Sequence, residues 1–232
     1  MRMPPQRKEG AKSNRCDTFN RLAQRGLGAM KQSSSEKLIS LIGRRLAVDF
    51  ANSGSAWRPL SWEELVVFLE ATQVISSERS ALLLELPEAD PHAAQALLQR
   101  ASSFRDTLRR AFVALIRREA TQIETVEAIN EILRVTEGHD ELLFDAGRWR
   151  IEFVAREDGL EWLLAAVARS AAEIVAEGAD ARVRICANPE CGLLFYDASR
   201  TKRRRWCSMA VCGNRHKVAS FAKKHARTTN AG

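Results

Sequence analysis

Between residues 17 and 185 this 232-residue chain has no cysteine, and between residues 46 and 180 it has no lysine. The first absence leaves the long central stretch without disulfides or thiolate metal sites. No apolar run approaches the roughly 18–20 residues that span a bilayer. The first 20 residues are basic and polar with no apolar core, which argues against a secretory signal. GxGxxG, P-loop and HExxH patterns are all missing. The middle of the chain holds two histidines, His92 and His139, each near an expected element end or loop. With no catalytic constellation in view, the reading is a non-enzymatic, cytoplasmic protein. The length suits one ordinary domain plus a smaller module, and an apolar fraction of 45% is ample for a core.

Charge is unevenly spread. The formal total of +7 divides into +8 for residues 1–45, −11 for residues 46–180 and +10 for residues 181–232. An acidic body thus carries two basic ends, and a basic end is a device for meeting polyanions. Residues 1–36 lack periodicity and carry Pro4-Pro5, the run Ser33-Ser34-Ser35 and many cations. They read as a disordered basic leader.

The body is expected to run over residues 37–179. Leu46, Val48 and Phe50 alternate with smaller residues, which predicts a strand ending in a turn at Asn52-Ser53-Gly54. Asp49 and Asn52 in this segment are the body's candidate ligand-binding residues; the plainer role for Asp49 is a solvated carboxylate or a turn cap. Ser61-Trp62-Glu63-Glu64 is a capping box, flanked by the staple pair Leu60 and Leu65, and predicts a helix from Trp62 to Thr72. A short helix is expected from Ser77 to Glu85, stopped before Pro87. A long one follows from Pro91 to Glu119, with Leu97, Ala101, Phe104, Leu108, Phe112 and Leu115 on its apolar stripe. Ile123, Val126, Ile129 and Leu133 predict another helix. Glu141–Phe144 and Trp149–Ala155 predict a hairpin turning at residues 145–148. A last body helix is expected from Leu160 to Glu177, with Gly178 as its C-cap.

Four of the five cysteines fall in 27 residues, as Cys186, Cys191, Cys207 and Cys212. The pattern is C-x4-C-x15-C-x4-C. Two close pairs joined by a hairpin-length insert can wrap four thiolates around one tetrahedral ion, which fits one structural Zn2+. Four thiolates also serve an iron–sulfur cluster. Disulfides are disfavoured by compartment and by the odd count, Cys16 being left over. Leu193, Leu194, Phe195 and Trp206 are the expected core of this module.

The cations cluster around the second pair. Arg200, Lys202, Arg203, Arg204 and Arg205 precede Cys207, and Arg215, Lys217 and Lys224 follow Cys212. In a helix beginning near Gly213, Val218, Phe221, Ala222 and His225 share an apolar face, and Lys217 and Lys224 lie on an exposed stripe. A metal-pinned basic helix beside an arginine-rich loop suits a phosphate backbone.

Arg205-Trp206-Cys207-Ser208-Met209-Ala210-Val211-Cys212-Gly213-Asn214-Arg215 resembles the signature of the CGNR zinc finger, and Cys186–Gly192 and Phe195–Arg200 match it too. Residues 46–53 resemble the opening L-x-L-D-F-x-N-T of the ABATE domain, with Val48 and Ser53 in place of the usual Leu and Thr. The resemblance implies a stress-induced bacterial transcription regulator, with zinc on Cys186, Cys191, Cys207 and Cys212. It further implies that Asn214 orients the metal loop and Arg215 contacts phosphate or base.

The expected architecture is α+β: a mostly helical domain with a few strands over residues 37–179, a small four-cysteine zinc finger over 180–227 and a tail over 228–232. The expected partner is DNA, and no membrane. One finger reads few base pairs, so a homodimer or further contacts are expected. No feature specifies a small-molecule effector. The alternatives are RNA binding through the same module, or a ligand-binding or enzymatic body with an accessory finger.

Overall fold

The computed structural model describes residues 41–53, 60–145, 148–155, 159–219 and 221. The leader at 1–36 and the tail, with Lys224, Ala222 and His225, lie outside them.

The body is built of helices α1 (Leu46–Asn52), α2 (Trp62–Ala71), α3 (Ser77–Ala89), α4 (Pro91–Ile116) and α5 (Ile123–Arg134). A hairpin follows, β1 (Gly138–Asp145) with β2 (Arg148–Ala155), then a 3-10 turn (Glu161–Leu164) and helix α6 (Ala165–Ala176). The finger adds a second antiparallel hairpin, β3 (Val183–Ile185) with β4 (Leu194–Tyr196).

Residues 46–53 correct the expectation of a strand. Leu46–Asn52 is a helix of two turns. Its alternation misled because Ala47 and Ala51 are as buried as Val48 and Phe50. A segment enclosed on every side carries no two-fold signal, and α1 is packed between α4 and α6. Phe50 anchors the core, 5.4 Å from the ring of Phe68 and 6.2 Å from that of Phe104. Such a fully buried aromatic contributes roughly 3 kcal/mol from its apolar area alone.

Local signals in α2 and α4 behave as expected. Ser61 Oγ accepts from the Glu64 N–H, and Glu64 Oε2 accepts from the Ser61 N–H. Leu60 and Leu65 are both buried beside this box. Asp90 caps α4 by accepting from the Ala93 N–H, with Pro91 at the first position. Helix α3, in contrast, runs through Pro87 to Ala89. A proline leaves the carbonyl four residues earlier without its donor. Here that carbonyl, Leu83 O, accepts instead from the Trp62 indole Nε1–H at 2.8 Å.

The body hairpin is in full register from Gly138↔Ala155 to Asp145↔Arg148. At its base Phe153 packs on Trp162, with ring centroids 6.3 Å apart. The last helix begins as the 3-10 turn, buries Leu164, Val167, Ala171 and Ile174, and ends at Gly178, whose φ of +55° is the left-handed cap.

Candidate metal centre and nucleic-acid face

The metal knuckle begins where β3 ends. Cys186 donates its N–H to Leu193 O, and Cys191 donates to Asn188 O. Asn188 Oδ1 also accepts from Glu190 N–H. The knuckle turns back at Gly192, where φ is +64°. Ala187 N–H donates to Arg205 O, which draws the second cysteine pair alongside the first.

The second pair is carried by a widened turn. Met209–Gly213 is π-helical, capped by Ser208, and Gly213 N–H bonds to Ser208 O five residues back. That five-residue closure matches the spacing from Cys207 to Cys212. The four Sγ atoms lie within 4.8 Å of one another. Cys207 Sγ stands 3.5 Å from Cys191 Sγ and 3.7 Å from Cys212 Sγ. A tetrahedron with Zn–S bonds of about 2.3 Å has edges of about 3.8 Å, so the donor set fits one ion with no open position. Two N–H groups also point at sulfur: Cys207 N–H to Cys186 Sγ at 3.4 Å, and Asn188 Nδ2 to Cys212 Sγ at 3.6 Å. Burial resists ionisation of Cys186, but the N–H groups of Cys207 and Asn188 with the neighbouring thiols outweigh it and lower that thiol. Burial and the other three sulfurs push Cys207 well up. A cation is what lets all four ionise together.

Phe195, Cys186, Cys207 and Cys212 form the finger's core, with Ile42, Leu193 and Trp206 packed against it. Leu194 is a correction: it belongs to the body's core, together with Val183 and Tyr196. Alternation along β4 sends Phe195 toward the metal and its two neighbours the other way.

The finger is bolted to the body by polar bonds. Asn52 Nδ2 donates to Leu194 O at 2.8 Å, and Asn52 Oδ1 accepts from Leu194 N–H at 2.9 Å. Arg109 donates to Gly192 O at 2.9 Å. Tyr196 donates its N–H to Gly43 O and its hydroxyl to Glu177 Oε2 at 2.6 Å, under the guanidinium of Arg45. Asp49 works one step behind this joint. It is buried and accepts from Gly43 N–H at 2.6 Å. Burial raises its carboxyl to about 6, against the lowering bonds from the backbone of residues 42–44. A Cβ at Gly43 would stand 2.9 Å from Asp49 N, so only glycine admits this closeness.

The arginine-rich loop is organised by Asp197, which the sequence places within the finger's motif without giving it a role. Asp197 is fully buried and accepts from Ser199 N–H at 3.0 Å, Ser199 Oγ at 2.5 Å and Arg204 N–H at 3.0 Å. Arg184 Nε stands 3.2 Å from Oδ2, the oxygen that also takes the Arg204 N–H, while both Ser199 donors meet Oδ1. Burial opposes the charge, yet these donors hold the carboxyl below its ordinary value. The Asp-x-Ser spacing at 197–199, a turn signature, is the local signal for its role.

The loop's five cations divide. Arg204 turns inward, its guanidinium 4.5 Å from the Phe195 ring centroid, donating to Trp206 O at 2.9 Å and to Cys207 O. Arg200, Lys202, Arg203 and Arg205 are exposed, as are Asn214, Arg215 and Lys217. Asn214 Nδ2 donates to Ala210 O, tying residues 214–219 to the metal turn. His216 packs on Trp206 at 4.7 Å rather than joining the metal cluster. Val218 and Phe221, the expected apolar face, are 69% and 66% exposed.

Residues 44–178 match the family model ABATE, described as a "putative stress-induced transcription regulator", and residues 182–225 match the CGNR zinc finger. No curated protein matches the chain. The finger's match, with its four gathered cysteines, identifies the centre as that of one structural Zn2+.

Proposed function

The chain belongs to the ABATE family, and from that premise we propose that it is a cytoplasmic, DNA-binding transcription regulator whose finger grips the duplex. The observation that supports this most is the sorting of the arginine run. Arg204 is committed to the finger's interior, while Arg200, Lys202, Arg203 and Arg205 face outward from a zinc-pinned loop beside Arg215 and Lys217. Outward cations on a fixed scaffold suit a regularly spaced polyanion, and arginine suits bidentate contact to phosphate or guanine. Neither matched family is described as an enzyme. Among the described residues no helix is long and apolar enough to cross a membrane.

Zinc is held in this reading by Cys186, Cys191, Cys207 and Cys212 and shapes the surface without touching nucleic acid. Asn52 and Asp49 hold the finger joint, since their polar atoms are already engaged there. Lys224 extends the same basic stripe. Two copies of the chain on one site would supply the affinity that a single module of about 600–1,000 Å² lacks.

The test is selection of bound sequences from random duplex DNA by the zinc-loaded protein, with RNA as competitor and Cys207→Ser as control. Enrichment of a motif that the control fails to enrich supports the reading. Equal displacement by unrelated RNA overturns it in favour of RNA binding.

A further inference from the structure

Away from the metal, the C-terminal half of α4 carries a stripe of arginines that the family reading does not use. Arg110 and Arg117 lie seven residues apart, two helical turns, with Arg109 beside them. With the loop at 117–122 and the start of α5 they line a cleft of about 520 Å³. That is within the range of small-molecule sites, about 300–1,000 Å³. Val113 and Ala114 give it an apolar patch.

The cleft's charges are poorly matched from within. Asp106, its nearest acid on α4, is taken by Arg105, which donates from Nε at 3.0 Å and Nη2 at 2.9 Å. Glu119 reaches Arg117 only at 4.0 Å. Among the described residues Arg109 and Arg110 make no ion pair: Arg109 bonds to Gly192 O, and Arg110 bonds to Thr107 Oγ1. Arg109 is half-buried, and burial together with the charge of Arg105 lowers its pKa. Asp106 offsets this only in part, its carboxylate being bonded to Arg105.

Two further features border the cleft. Thr125 lines the cleft and is only 4% exposed. Its hydroxyl stands among the cleft's guanidiniums and can donate to an oxygen of a bound anion. Gln122, the N-cap of α5, also lines the cleft and gives no side-chain cap, so the helix brings an uncapped positive end to its border.

We propose that this α4–α5 cleft binds a small organic polyanion, its carboxylates or phosphates held by Arg110, Arg117 and Arg109 and by the Thr125 hydroxyl. Arg109 also holds Gly192, the residue after Cys191, so the site is one bond from the metal knuckle. This places an effector site on the body, and it stands whether or not the finger binds DNA.

The experiment is calorimetric titration of the zinc-loaded full chain, without DNA, at fixed ionic strength set with chloride. The probes are citrate, fructose 1,6-bisphosphate and inorganic phosphate; the first two separate carboxylate from phosphate recognition. One saturable site per chain for citrate or the bisphosphate is expected. The double variant Arg110→Gln/Arg117→Gln should weaken it at least tenfold, and the isosteric Thr125→Val at least threefold. If the double variant melts early, Arg117→Gln alone, at the exposed rim, replaces it. Saturable binding by none of the probes overturns the proposal, as does unchanged binding in the variants. Loss of DNA affinity in the double variant without any anion uptake also overturns it and assigns these arginines to the nucleic-acid face.

Discussion

Replacing Asn52 by alanine removes both hydrogen bonds that join helix α1 to the finger strand. The partners left behind are the N–H and C=O of Leu194, a residue with no exposed surface. Each buried backbone group left without a partner costs about 1–3 kcal/mol, and partial relaxation of a half-buried joint favours the lower end. The expected loss is about 2–4 kcal/mol, a large share of the roughly 5–15 kcal/mol that holds a domain together. For a chain of this size that lowers Tm by roughly 5–15 °C. Asn52→Asp should be as damaging, because a carboxylate keeps the acceptor but faces Leu194 O without a proton. The assay is urea unfolding followed by tryptophan fluorescence, together with the thiolate absorbance of a cobalt-substituted sample. The first reports mainly on the body and the second on the finger. In the parent chain the two transitions coincide; in Asn52→Ala the finger's signal is lost at lower urea. A variant within about 0.5 kcal/mol of the parent, with both signals still coincident, would refute the idea that this amide couples the two parts.

The loop arginines should separate by role. Arg200→Ala/Arg203→Ala/Arg205→Ala keeps its Tm but reduces the slope of log affinity for DNA against log salt by about 2–3, at about 0.9 per lost contact. Arg204→Ala, which empties the bonds to Trp206 O and Cys207 O, instead lowers stability by about 2–4 kcal/mol. Equal salt slopes in the triple variant and the parent would contradict the proposed face. Asp49 gives a pH signature. Its folded-state pKa is raised to about 6 from 3.8, so the stability it contributes is full below pH about 4 and is lost as pH rises through 6. Asp49→Asn lacks this loss, and its stability relative to the parent should climb between pH 4 and 7 by up to about 3 kcal/mol. Parallel urea midpoints across that range would exclude the effect.

What could be read from sequence was local. The Ser61–Glu64 box, Pro91 at the start of α4 and the body hairpin each depend on neighbours within a few residues, and each appears, the hairpin with its first strand starting at Gly138 rather than Glu141. The cysteine spacing belongs to the same class, since the chain between the pairs is short. What failed was non-local. Helix α1 takes its form from its surroundings, and its alternation records only that everything around it is protein. Leu194 answers to Asn52, which lies 142 residues away. Nothing in a run of five cations announces that Arg204 folds inward, because that depends on where Phe195 and two carbonyls stand. The cleft arginines are spread over two helical turns of α4, and they read as a solvated face until the start of α5 is placed beside them.

Asp197 has one more consequence. The loop from 197 to 204 is tied to its buried carboxylate through Ser199 and the Arg204 N–H, and Arg184 clamps Lys202 O at 2.7 Å. Lys202 itself is held at a φ of +52°, a conformation non-glycine residues seldom keep unless their surroundings fix it. A loop whose backbone is already in its final shape surrenders little backbone entropy when it meets a partner, about 1–2 kcal/mol being the usual cost of fixing each free residue. One internal anion thus holds the backbone that carries the outward cations, so a polyanion meeting this surface would order their side chains without refolding the loop.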